Sequence, residues 1–304
     1  MSVIAQPLNT ELLEVESNGV RLTYLEQGHG DPVVFVHGAF ADYRSWQFQI
    51  EPFAERFRSI AYNRRYAYPN NRVGDYSDNT IENNASDLLV LMEKLQVGPA
   101  HFVTVSTGSF IALYFAVRHP ELVRTLVLME PGVVSLVIKN AKSKLEILSF
   151  FLRYPSSAMT LIKFSKATNS AKEVYERGDA RTAARIFADA VEKSSPMRRK
   201  SSESPLFERV PPVIQTMFID NMRDLMQGLG VVEDPVFTCE DAKQIRAPVL
   251  LIRSTPALRP IVDKLTQCLP NAEVVTMLHD GDQGRWFEPY PFNSMALKFL
   301  AKHC

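Results

Sequence analysis

The chain is short of cysteine, has no excess of either charge and contains no long hydrophobic run, and each shortage removes a class of function. Its three cysteines among 304 residues, Cys239, Cys268 and Cys304, make an odd count without the short spacings of a metal cluster, so a reducing compartment is the simpler assumption. Thirty-four basic residues balance thirty-four acidic ones, which implies no general attraction to nucleic acid or to an anionic membrane surface. No apolar run approaches the roughly 20 residues that cross a bilayer, and residues 1–7 lack the basic stretch and apolar core of a secretion leader. No repeat of fixed period is present. These absences lead one to expect a cytoplasmic protein whose partner is a small, largely uncharged molecule. They do not decide between a monomer and a homodimer.

What is present is apolar content, 46% of residues, against 22% charged, enough for one large core with an inserted subdomain. Pro32-Val33-Val34-Phe35-Val36 is a short, continuously apolar run of the kind buried on both faces of a parallel sheet, and it leads straight into His37-Gly38-Ala39-Phe40. A second run, Ala100-His101-Phe102-Val103, leads into Thr104-Val105-Ser106-Thr107-Gly108 and then a helical pattern over 110–119. A serine at such a strand-to-helix turn is held in a strained backbone conformation that lifts its hydroxyl clear of the sheet, while the following glycine lets the helix pack closely. Ser106 is therefore the candidate nucleophile. The usual form of the turn is G-x-S-x-G, and Thr104 stands in place of its first glycine. The backbone N–H groups of Ala39 and Thr107 are the candidate oxyanion hole, converging on one carbonyl oxygen as it gains charge.

Elsewhere, 44–57 and 81–95 read as helices and 59–62 and 272–278 as strands, an alternation that argues for a parallel sheet with its ligand crevice beyond the carboxyl ends of the strands. From 133 to about 232 the strand signal vanishes. Amphipathic stretches over 141–152, 158–164, 180–192 and 212–227 suggest a helical lid, with a polar, proline-bounded loop at 194–205. The expected division is a core of 1–132 and 233–304 with a lid of 133–232.

These segments, in this order, resemble the α/β-hydrolase family over nearly the whole chain: Gly19-Val20-Arg21-Leu22-Thr23-Tyr24, the 33–38 strand, the turn at Ser106, His119-Pro120-Glu121-Leu122-Val123-Arg124, and Ala247-Pro248-Val249-Leu250-Leu251-Ile252. The resemblance implies an α/β fold with a mostly parallel central sheet, helices on both faces and an inserted helical lid. It also implies a histidine to take the serine's proton and a carboxylate to orient that histidine. The family's acid commonly follows the strand matching 249–252, but here Arg253-Ser254-Thr255-Pro256 offers no carboxylate. Some members place the acid one strand after the nucleophile, which points to Glu130. Alignment of the closing segment puts Asp282 at the histidine's position, with His279 three residues earlier.

His279 is thus the candidate base, and Asp282 a candidate proton shuttle whose pKa burial would raise. Asp280 and Asp282 lack the full ligand series of a calcium loop, so no metal is expected. His37, Phe40, Arg64, Arg65 and Tyr66, at the same sheet edge, are candidates to contact substrate, since arginine between aromatics can orient a carboxylate or phenolate.

With no cofactor expected, the leading chemistry is hydrolysis of an ester, lactone, thioester or carbon–carbon bond through Ser106. A lyase, isomerase or cyclase using the same pocket, or a binding protein that has abandoned catalysis, fits the same residues.

Overall fold

The computed structural model describes residues 11–70, 76–140, 142–193, 204–228, 235–254, 257–277, 286 and 289–304. Eight strands form one sheet: β1 (Leu13–Ser17), β2 (Val20–Gln27), β3 (Pro32–Val36), β4 (Arg58–Tyr62), β5 (Ala100–Val105), β6 (Val123–Met129), β7 (Val249–Arg253) and β8 (Ala272–Thr276). Their spatial order is β1-β2-β4-β3-β5-β6-β7-β8. The β1/β2 and β2/β4 pairs are antiparallel and every later pair is parallel. The apolar runs sit at its centre because parallel strands covered by helices have no solvent face: Val33, Val34, Phe35 and Val36 are fully buried, as are Phe102 and Val103.

Helices α1 (Ile50–Ala54), α2 (Ile81–Lys94) and α3 (Thr107–Arg118) belong to the first half of the core. The 44–57 stretch is not one helix. A 3-10 turn at Tyr43–Trp46 is separated from α1, and Pro52 accounts for the break. A proline is tolerated in a helix's first turn, where its missing N–H has no partner to lose, but it prevents the helix extending back through Gln49.

Between Met129 and Val249 the described residues form no strand. Instead come α4 (Lys144–Arg153), α5 (Pro155–Glu176), α6 (Ala180–Lys193), α7 (Leu206–Arg209), α8 (Pro212–Asp220) and α9 (Met222–Gly228). The apolar spacing over 158–164 marks only one turn-rich part of α5. The helix runs on because Ala171 of α5 and Ala183, Ala184 and Ala188 of α6 are small enough to be buried together where the two helices meet. The 212–227 stretch is split at Asn221, whose buried side chain donates to Asp42 (2.7 Å) and to the Met217 carbonyl (2.8 Å) and accepts from the Tyr68 N–H (2.9 Å). After the lid, α10 (Cys239–Gln244), α11 (Arg259–Cys268) and α12 (Pro289–Leu300) complete the core.

Cys239, the first residue of α10, and Cys268, the last of α11, form a disulfide with Cα atoms 5.1 Å apart. An odd, scattered cysteine count leads one to expect free thiols instead. The pairing is invisible in a separation of 29 residues because it depends on how the two helices meet. Among the described residues no helix is long and apolar enough to cross a membrane.

His101, buried at the start of β5, bonds through Nδ1 to the Thr125 hydroxyl at 2.8 Å. Burial, and then the charge of Arg124, push its pKa down to about 4 from 6.5. The folded group stays neutral while the unfolded one binds a proton below about pH 6.5, so stability falls as pH drops through that window and the contribution levels off below about pH 4. Urea unfolding at pH 7 and pH 5 should show a difference that shrinks by about 1 to 2 kcal/mol in His101→Gln. An identical difference in both proteins would exclude the histidine as its source.

Candidate active site

The first turn of α3 is pressed against the end of β3. A Cβ added to Gly108 would lie 2.2 Å from the Val36 carbonyl oxygen and 2.6 Å from that of His37, so only glycine allows this approach. Two residues before that glycine, Ser106 is forced into φ 53°, ψ −119°, a left-handed conformation that a side chain rarely adopts. The surroundings hold it there. Its N–H donates to the Met129 carbonyl at 2.9 Å, and its own carbonyl accepts from the N–H groups of Ser109 (3.0 Å), Phe110 (3.3 Å) and Gly132 (3.3 Å). Such strain persists only where neighbouring contacts over-determine the backbone.

Thr104, the residue in place of the turn's usual glycine, is fully buried. Its hydroxyl lies 2.8 Å from that of Ser109 and donates to the Val127 carbonyl at 3.1 Å, while the Ser109 hydroxyl reaches the Met129 carbonyl at 3.3 Å. The branched side chain thus joins β5 to β6 and to the first turn of α3.

Opposite Ser106 runs the loop 37–40. Gly38 brings it close: a Cβ there would stand 3.2 Å from the Ser106 Cβ. The fully buried His37 ring accepts the Arg64 N–H at Nε2 (3.0 Å), so its proton sits on Nδ1 and is donated to the Gly38 carbonyl (2.8 Å). Burial foremost, then Arg64, hold His37 well below its ordinary pKa and keep it neutral. Arg64 also donates to the Gly38 carbonyl at 3.2 Å and pairs with Asp224 of α9 at 3.5 Å. Asp224 accepts the Phe40 N–H at 3.3 Å, with Phe40 itself at φ 45°. The α9 carboxylate and the Arg64 guanidinium therefore grip the loop from two sides.

A cavity of about 370 Å³ opens beside these elements. Ser106, Thr107, Ala39, Phe40 and Glu130 all line it, and Thr107 is the first residue of α3, whose first-turn N–H groups have no acceptor within the helix. The remaining wall is mostly apolar. Phe40 stacks on Phe218 of α8 (centroids 4.7 Å apart, planes at 14°) and meets Phe187 of α6 edge-on at 4.3 Å, with Phe164 and Trp286 extending the row. Glu130 is the single charged residue among the described ones lining the cavity. It is buried, at φ 49°, and accepts from both the N–H and the hydroxyl of Ser254 (the latter at 2.7 Å) just beyond β7. Both contacts reach the same carboxylate oxygen, Oε1.

The structure thus brings Ser106, Ala39, Thr107, Glu130 and Phe40 to one cavity. It sets His37, Arg64, Arg65 and Tyr66 elsewhere: none of the four lines it. Arg65 is held by Asp87 (2.9 and 3.0 Å) and Asp78 (2.8 Å), and Tyr66 donates to Asp78 and stacks on Tyr76 at 3.9 Å. Arginines with carboxylates already in place brace the 63–70 loop rather than reach for a ligand's carboxylate, which corrects the expectation that these four contact substrate. His279 and Asp282 lie outside the described residues. Sequence reasoning missed Asp224, Ser254 and the lid aromatics. Ser254 alone had a local signal, since it stands where the family's acid would follow β7.

As to metals, one His/Cys/carboxylate group among the described residues is close enough to share an ion: Asp31, His101 and Cys304, away from the cavity, with Asp31 already held by Arg124 at 2.8 Å.

A model of the α/β hydrolase fold matches residues 31–186, just over half of the chain. The chain belongs to the α/β-hydrolase fold family. Within that family it is similar to a Mycobacterium tuberculosis protein named non-heme bromoperoxidase BpoC, 36% identical over 112 residues that make up 36% of this chain and 42% of that one. It is also similar to epoxide hydrolase 1 of Caenorhabditis elegans, 29% identical over 36% of this chain and 27% of that protein. The chain therefore spans less than half the length of these curated relatives. Over nearly its whole length this α/β-hydrolase-fold chain superposes on a thermophilic esterase from Thermogutta terrifontis (TM-score 0.69, 18% identity, 97% of this chain and 100% of that one). It superposes equally on the enol-lactonase from Burkholderia xenovorans LB400 (TM-score 0.65, 20% identity, 95% and 100%). At these identities the structural likeness speaks to fold alone.

Two substitutions test the local account by chemical denaturation. Thr104→Gly, which restores the usual residue of the turn, should lower stability by about 2 kcal/mol, because it removes a buried hydrogen bond and adds chain entropy in a strand; a gain would refute the bridging role. Asp224→Ala strands the buried Arg64 guanidinium and should cost about 3 kcal/mol or more, with Asp224→Asn in between. No change in either Asp224 variant would mean the clamp on loop 37–40 is not formed.

Proposed function

We propose that this chain is a cofactor-independent serine hydrolase acting on a small, uncharged carbonyl compound, an ester or lactone foremost, with thioesters and activated carbon–carbon bonds within the same chemistry. The observation that carries the reading is the strained Ser106, at a cavity that Ala39 and Thr107 also line and whose wall is mostly apolar. The Ser106 hydroxyl attacks the carbonyl carbon and its proton passes to a base. The oxygen, as it becomes an alkoxide, is met by the N–H groups of Ala39 and Thr107. Preorganised donors of this kind stabilise the transition state more than the ground state, because the charge develops only there. Collapse expels the alcohol, and water then releases the acid from Ser106.

His279 is the proposed base. Glu130, supplied with two donors by Ser254, is the carboxylate proposed to hold the imidazole in the correct tautomer. The esterase and enol-lactonase whose folds this chain shares agree with ester or lactone cleavage.

The wall sets the substrate's character. Phe164, Phe187, Phe218, Leu161 and Val191 favour an aromatic or aliphatic acyl group, and an anionic one would lose its hydration beside Glu130 without compensation. A fluorophosphonate should label Ser106 covalently, and Ser106→Ala should lose labelling together with at least about a thousandfold in kcat/KM on a chromogenic aryl ester. Undiminished turnover in that variant removes the serine from the mechanism. A carboxylate-bearing analogue should be cleaved about a hundredfold less efficiently than its neutral isostere; equal rates would mean the acyl group does not enter this cavity.

A further inference from the structure

We propose that the outer face of α4 and α5 docks on an anionic phospholipid surface, with a headgroup phosphate seated in a second cavity between α4 and α11. The first observation is an apolar helix face turned to water. At about 100° per residue, Leu145, Leu148 and Leu152 fall in one narrow arc of α4 with Phe151 at its margin, and these four side chains are 79%, 55%, 76% and 37% exposed. Phe150, on the opposite side of the same helix, is buried at 5%. The helix is therefore anchored by one face and leaves its leucines unpartnered. Single exposed leucines are ordinary, but a contiguous apolar face marks an interaction surface.

The second observation is charge. Residues 139–166 contain Lys139, Lys142, Lys144, Arg153, Lys163 and Lys166, all exposed, against the single acid Glu146, within a chain that is neutral overall. On α5, Met159 (52% exposed), Lys163 and Lys166 follow one another at four- and three-residue steps along one stripe. Leu161 and Phe164 point the other way, into the cavity of Ser106.

The third is the second cavity, of about 350 Å³, where Lys139, Arg153 and Lys264 converge with Ser149 and Tyr154 above an apolar floor. Its one carboxylate, Asp263, is already engaged by Arg253 at 3.1 Å and Arg259 at 3.8 Å.

An anionic bilayer satisfies all three at once, since leucines enter the acyl boundary while lysines and arginines meet the phosphates. A second copy does not. A twofold interface sets a patch against itself, and here that would place six cations against six. A free phosphate would fill the cavity but leave the leucine face bare. This docking is separate from the proposed hydrolysis, and its readout does not depend on turnover.

The test is co-sedimentation of the full chain with vesicles of phosphatidylcholine alone, or with roughly one third phosphatidylglycerol, alongside inorganic phosphate binding and light scattering. Retention on the anionic vesicles, lost at high salt, is expected. So is weakening by about tenfold or more both in Leu148→Ser/Leu152→Ser and in Arg153→Ala/Lys264→Ala; all four side chains are surface-exposed, so the fold should be kept. Equal retention on pure phosphatidylcholine, or none on either vesicle, overturns the proposal. Phosphate binding without vesicle retention assigns the cavity to a free anion, and a dimer that dissociates on Leu148→Ser/Leu152→Ser assigns the face to a second copy; either result also overturns it.

Discussion

Everything at the carboxyl edge of the sheet follows from the contact between Gly108 and the last carbonyls of β3. Because the start of α3 approaches that strand with no side chain between them, the chain at Ser106 has no relaxed way to turn, and the serine is driven out of the strand in a left-handed conformation. The same approach brings loop 37–40 alongside, with Gly38 against the serine's own Cβ. The conformation of Ser106 and the position of the loop beside it are thus set by a single steric fact. In the proposed hydrolysis, serine and amides held in this way need no motion to assemble, which is what electrostatic preorganisation requires.

The helices between β6 and β7 are not loosely attached to this edge. Phe40 belongs to the core loop, yet its ring is stacked between α6 and α8 and its amide is held from α9. Arg44 reaches from the core to Asp42 at 2.6 Å and to Asp220 of α8 at 2.8 Å, and Asn221 closes the same network. The residues that define the pocket wall are also those that fix the 37–40 loop. Under the proposed function, substrate selection and transition-state stabilisation would share a support.

Much of this was legible in the sequence where the signal is local. Contiguous apolar runs located β3 and β5, since that pattern depends on residues within a few positions of one another, and Gly108 marked the room the helix needs behind Ser106. The α/β fold and the helical character of 133–232 followed from the same kind of pattern. What escaped depends on distant meetings. Nothing near Asn221 announces that Asp42 will split a helix there, and nothing near Cys239 announces Cys268. Arg64, Arg65 and Tyr66 sit at the edge foreseen for them, but their carboxylate partners, Asp224, Asp87 and Asp78, lie 12 to 160 residues away. A balanced total charge likewise conceals the six-to-one excess within 139–166. His279 and Asp282, the two candidates for proton transfer, fall outside the described residues.

The ties between these inserted helices and the sheet are distributed unevenly. Asp220, Asn221 and Asp224 tie α8 and α9 to buried core groups, and prising them loose would leave a guanidinium and a carboxylate stranded without water, at a cost of several kcal/mol. No comparable buried ion pair from α4 or the first half of α5 to the core is found among the described residues, and α4 turns its leucines outward. The helices between β6 and β7 are accordingly pinned firmly to the sheet at one end and held more lightly at the other, so that a displacement of α4 would strand no buried charge.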